Sequence, residues 1–192
     1  MNEMMMEIIS NVLDALAIIV GFVTIFIVNM LERKREKAML RKELKDKQLL
    51  DDWSNCSEIV KIIANDFSFF MEKTRLIVSD KELVVKSSTT YKIEILKMQH
   101  DLNEKLLKFH ELIERIEFSN NSDYNVFQDF YSYTFNEVNN RYKQVMICID
   151  KIVSKENDII DIKEFSGDSK LLGLAIKTAN ENYRIQLNKK DS

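Results

Sequence analysis

From Ile8 to Leu31 the chain reads IISNVLDALAIIVGFVTIFIVNML, and the part from Ala15 to Leu31 carries no charge. At about 1.5 Å per residue, a helix of this length crosses a hydrocarbon core of about 30 Å. The pattern predicts a transmembrane helix over 8–31, preceded by a short segment, 1–7. A cleaved signal peptide would start basic and end its apolar core at small residues. Here MNEMMMEII precedes the run and ERKREK follows it, so the helix is expected to stay.

Within that run Ser10, Asp14, Ala17, Gly21, Thr24 and Val28 alternate at intervals of four and three residues. At about 100° per residue all six fall within an arc of about 80°. The other side carries Val12, Leu16, Ile19, Phe22, Val23, Phe26 and Ile27, which suit lipid. Small residues let membrane helices approach one another, and an ionisable group at membrane depth faces a partner or water. The stripe is therefore expected to face copies of the chain. Whether it lines an aqueous path or only packs helices stays open.

Past Leu31 no glycine, proline or capping signal interrupts the helical pattern, and residues 32–48 are expected to continue as a charged helical stalk. From Leu49 apolar residues recur at Trp53, Cys56, Val60, Ile63, Phe67 and Phe70, ending near Ser79. A second stripe runs through Tyr91, Ile95, Met98, Leu102, Leu106, Phe109, Ile113 and Ile116, with its helix starting after the polar SSTT at 87–90. After the turn FSNNSD at 118–123, with Asp123 as the expected N-cap, a third stripe holds Phe127, Tyr131, Val138, Tyr142, Val145, Ile149 and Ile152. The segment 155–168 reads as a connector, and a last helix over 169–187 aligns Leu172, Ile176, Ala179 and Tyr183. Such periodicity predicts an all-α fold, with an antiparallel helical bundle over 49–192.

Composition agrees. With no proline and three glycines in 192 residues, the chain lacks the usual material for tight turns and many-stranded folds. Its net charge of -3 hides a division along the sequence. Residues 1–31 hold three acids and no Lys or Arg, whereas 32–48 hold eight basic residues and four acidic ones. The positive-inside rule then puts 1–7 outside and 32–192 in the cytoplasm, with the chain in the plasma (inner) membrane. Arg33, Lys34, Arg35 and Lys37 are placed to meet anionic headgroups. This charge layout suits membrane lipid rather than duplex nucleic acid as a partner.

Candidate chemistry is sparse. His100 and His110 lie about 80° apart around one helix, and Cys56 and Cys148 fall on other apolar faces, so no zinc-ligand spacing arises and both thiols are expected reduced in the core. The pairs His110 with Glu114 and Glu111 with Arg115 read as ordinary helix-surface contacts. No phosphate loop, dinucleotide fingerprint, nucleophile elbow or kinase signature occurs. Neither an enzyme nor a bound cofactor or metal is expected. In YNVFQDFYSYTF, residues 124–135, Phe130 and Tyr133 fall off the main stripe and are the candidate face for a ligand or partner.

An acidic leader, one membrane helix with a small and polar stripe, a basic stalk and a helical cytosolic domain without an active site together resemble the membrane effectors of bacterial phage-defence systems. The layout looks most like the oligomeric single-pass effector of the Hailong type. That resemblance implies a nucleotide or oligonucleotide signal sensed in the cytoplasm and a membrane segment that opens to depolarise the cell. A different class of function, a membrane-anchored scaffold or adaptor that recruits a cytoplasmic protein without conductance, accounts for the helices equally.

Overall fold

The computed structural model describes the backbone of residues 2–118, 120–155 and 169–190, and the side chains of these except 2–19, 22, 169 and 190. Four helices make up the described chain: α1 over Asn2–Ser79, α2 over Lys81–Arg115, α3 over Asn121–Ser154 and α4 over Ser169–Lys190. They belong to two compact units, Met1–Gln48 and Leu49–Ser192. The expected all-α class is what the structure shows.

In the first unit every described side chain from Val23 to Gln48 is exposed. In the second, the part of α1 from Leu49 onward packs with α2, α3 and α4. Lys73 of α1 pairs with Glu94 of α2 at 3.0 Å, Asp66 pairs with Lys105, and Asp52 lies 3.7 Å from Arg115. Rising numbers on α1 thus meet falling numbers on α2, so the two run antiparallel. The same reversal joins α2 to α3 through Lys92 with Asp150, Gln99 with Asn139, and Glu114 with Tyr124. On α4, Asn182 reaches back to Asp123 at the start of α3, and Asn180 accepts from Ser57 of α1 at 2.7 Å.

Two apolar clusters fill the interior. One takes Trp53, Cys56, Val60, Ile63, Phe109, Ile113, Phe127, Phe130, Ala175 and Ala179 from all four helices. The other takes Phe67, Phe70, Ile95, Leu102, Val138, Val145, Ile149 and Ile152 from α1, α2 and α3, with Leu172 of α4 touching both. The stripes read from the sequence are these core residues. Around Phe109 the rings meet edge to face, Phe130 at 5.5 Å and Phe127 at 6.0 Å between centroids, the geometry that sets a ring's positive edge on its neighbour's negative face.

The described turns work without glycine. Asp80 leaves the helical region (φ -105°, ψ 83°) and its carboxylate accepts from Leu83 N at 3.0 Å, closing α1 and capping α2 in one residue. Helix α2 therefore starts at Lys81, not after residue 90. The SSTT run survives only as a kink at Ser87 (φ -135°, ψ 27°), because Val84 ahead of it is fully buried and ties the first turn to the core. The N-cap of α3 is Asn120, whose side chain accepts from Ser122 N at 3.1 Å. The expected cap, Asp123, sits inside the helix and accepts from Asn182 instead. Helix α3 closes at Lys155 in the left-handed region (φ 58°, ψ 30°), its N–H directed to Ile152 O, a role glycine usually takes. The connector expected over 155–168 lies outside the described residues from 156 onward.

Candidate functional site

The amino-terminal unit holds the feature that needs explaining. Val20, Val23, Ile25, Phe26, Ile27, Val28, Met30 and Leu31 are between 43% and 71% exposed. At about 100° per residue they surround the helix, leaving one gap of about 100° that contains Asn29. A helix apolar on all sides is normally buried in a large core or in a membrane; nothing within the described unit covers this one.

Among the described residues, no helix is long and apolar enough to cross a membrane. The described apolar stretch, 20–31, spans about 18 Å at the helical rise, against about 30 Å of hydrocarbon. Ile8–Ile19 and Phe22, which complete the expected segment, lie outside the described side chains. So do Ser10, Asp14 and Ala17 of the expected stripe. Its other members are in view: Gly21 has open space where a Cβ would stand, Thr24 returns its hydroxyl to Val20 O at 2.8 Å, and Val28 is 46% exposed. By bonding to its own helix backbone, the Thr24 hydroxyl leaves no stranded donor.

Directly after this run, Arg33, Lys34, Arg35 and Lys37 are all exposed, and none enters an ion pair among the described residues. Four cations within five positions, free of protein partners, make a local positive field.

The bundle is different. Phe130 is fully buried against Phe109 and offers no face to a ligand. A single 3–4 register leaves it off the stripe, whereas α3 buries a wider arc against three neighbours. Tyr133 is half-buried, its ring 6.3 Å from that of Phe67. The aromatic feature that periodicity missed lies beside them. His110 of α2 stacks on Tyr131 at 4.7 Å and 16°, and Tyr131 stacks on Phe135 at 5.9 Å. The Tyr131–Phe135 step is legible as an i,i+4 pair; the His110 contact crosses between helices and is not.

The expected helix-surface pairs are replaced by contacts between helices: Glu114 accepts from Tyr124 at 2.8 Å, raising the phenol's pKa, and Arg115 turns to Asp52. Both cysteines are free and buried, and burial pushes Cys56 up to about 12 and raises Cys148. Protonated thiols are neither nucleophiles nor metal ligands at neutral pH. Among the described residues no group of His, Cys, Asp and Glu could hold a metal ion. A cavity of about 160 Å³ lies between Asp66, Phe69, Met98, Asp101, Leu102 and Lys105, below the roughly 300 Å³ at which small-molecule pockets begin.

No family model, curated protein or solved structure matches the chain.

Proposed function

We propose that the chain is an oligomeric single-pass membrane effector. Its amino-terminal helix sits in the plasma membrane among copies of itself, and its helical bundle lies in the cytoplasm and controls an ion-conducting state. The observation that carries this reading is the all-round apolar exposure of α1 over 20–31, followed at once by unpaired cations. Lipid satisfies the first and anionic headgroups at Arg33, Lys34, Arg35 and Lys37 the second. Asp14, Ala17, Gly21 and Thr24 are then the residues that copies present to one another, and α1 supplies side chains to both the membrane unit and the bundle. In this reading the protein acts like the phage-defence effectors it resembles, depolarising the cell when its cytoplasmic domain meets a nucleotide, oligonucleotide or protein signal.

The test is conductance of the purified full chain in planar bilayers, together with membrane potential after induced expression. Stepwise conductance and depolarisation, lost in Asp14→Ala and Gly21→Leu, are expected. Membrane insertion without conductance would leave the second reading, a membrane-anchored adaptor.

A further inference from the structure

Residues 32–47 of α1 carry twelve charges, eight basic and four acidic. Placed around the helix at about 100° per residue, Glu32, Glu36, Glu43 and Asp46 occupy an arc of about 80° that contains no base. Arg33, Lys34, Lys37, Arg41 and Lys45 occupy an arc of about 120° that contains no acid. Arg35, Lys42 and Lys47 lie between the two. All twelve side chains are exposed, and none is ion-paired among the described residues.

For a lone helix this arrangement is unfavourable. At the four-residue interval, where side chains are neighbours, four pairs are alike in charge (Glu32 with Glu36, Arg33 with Lys37, Lys37 with Arg41, Arg41 with Lys45) and two are opposite. Like charges at that spacing destabilise a helix. Headgroups can relieve the first turn. They do not relieve the rest, because Arg41 and Lys45 stand about 15 and 21 Å along the helix from Leu31, beyond a screening length of about 8 Å.

We infer that the stalk is a two-faced contact surface for a second copy of this chain, the acidic arc of one stalk lying against the basic arc of the next. The inference rests on the membrane-oligomer reading above. A two-fold, isologous contact centred on either arc would set like on like, and one centred on the border between the arcs would pair acid with base but end at the dimer. A heterologous contact sets acid on base, and because every copy carries both arcs it continues from copy to copy and closes as a ring where the rotation between copies returns to the start. Axial level agrees. Glu36 and Lys37, and likewise Asp46 and Lys45, differ by one residue, about 1.5 Å along the axis, so parallel copies without axial offset bring opposite charges level. A shared membrane imposes that register.

The test uses the full chain in lipid nanodiscs, carrying Arg41→Cys and Glu43→Cys together under mild oxidation. Cys56 and Cys148 are buried and do not compete. A ladder extending past the dimer is expected, with at least several-fold less product from either single variant. Adding Lys37→Glu and Lys45→Glu should abolish the ladder, and further adding Glu36→Lys and Asp46→Lys should restore it. Crosslinking that stops at the dimer overturns the heterologous contact. So does the absence of crosslinks in a chain that still migrates as a membrane oligomer, and binding to phosphatidylserine vesicles that needs Arg41 and Lys45 would assign the basic arc to lipid instead. A chain that is monomeric in the membrane, or absent from it, fails the reading beneath the inference rather than the contact alone.

Discussion

Arg141 of α3 donates from Nε to Thr74 Oγ1 of α1 at 3.2 Å, with the two residues 4% and 0% exposed. Thr74 donates its own hydroxyl proton to Met71 O at 2.8 Å, which turns a lone pair toward the guanidinium. Burial pushes Arg141 below the usual arginine range while Glu137 opposes the shift. Removing the acceptor of a buried hydrogen bond costs more than the bond itself contributes. Thr74→Val keeps the shape of the side chain, removes that acceptor and is expected to destabilise the bundle by about 1–3 kcal/mol. Urea unfolding followed by helicity checks the loss. An unchanged midpoint would show that the contact from Arg141 Nε contributes nothing.

Cys56 gives a pH prediction with a definite sign. Its folded pKa of about 12 stands above the ordinary value of 9.0, so between these values the unfolded chain has lost a proton that the folded chain keeps. Stability rises with pH where the unfolded state binds more protons and falls in the opposite case. The thiol's contribution is therefore full below pH 9 and lost as pH climbs toward 12. Its slope is at most about 1.4 kcal/mol per pH unit. Unfolding free energies of the natural chain and Cys56→Ala should diverge in slope only above pH 9. Parallel curves through pH 11 would contradict the burial argument.

Much of this bundle was legible because its stripes alternate by three and four over many turns. Trp53 to Phe70 and Ile95 to Ile113 are core residues at the positions their spacing dictates. Boundaries were less legible. The polar SSTT run looked like a helix start, yet buried Val84 draws the preceding turn into helix. Asp123 has the residue type of a good cap, and only the contact with Asn182, 59 residues away, gives it another use. Phe130 is core although it lies off the 3–4 stripe, because one helix shows its periodicity, not how many neighbours bury it. The apolar run 20–31 and its basic flank read the same way in sequence and structure, since among the described residues their exposure depends on no long-range contact.

The corrected role of Phe130 can be measured. A fully buried ring between Phe109 and its neighbours should behave as core, and Phe130→Ala is expected to cost about 3–5 kcal/mol. Tyr133→Ala, half-buried against Phe67, should cost distinctly less. Denaturation of the two variants side by side decides the matter, and equal small losses would put Phe130 back on an open face.

The caps can be separated in the same way. Asn120→Ala removes the acceptor for Ser122 N and Asp80→Ala the acceptor for Leu83 N; each is expected to cost about 1 kcal/mol. Asn120→Gly should cost only a few tenths, because glycine is itself tolerated at this position. If Asn120→Ala proves silent while Asp123→Ala unfolds the start of α3, the sequence-based cap was the working one.

The apolar collar of α1 offers the most direct check on what covers it. Val20 and Val23 are 62% and 51% exposed, so a lysine at either place is open to whatever surrounds the helix. In water Val20→Lys and Val23→Lys should therefore be neutral or favourable. In a bilayer each lysine costs about 2.5–3.5 kcal/mol at a helix centre and less toward its end, and these two lie about 16 and 12 Å along the axis from Leu31, deeper than a lysine stem reaches. The double variant Val20→Lys/Val23→Lys is expected to leave the membrane fraction on alkaline extraction while its bundle keeps its unfolding midpoint. Retention of the double variant in the membrane, at the level of the natural chain, would mean that lipid is not what surrounds these residues.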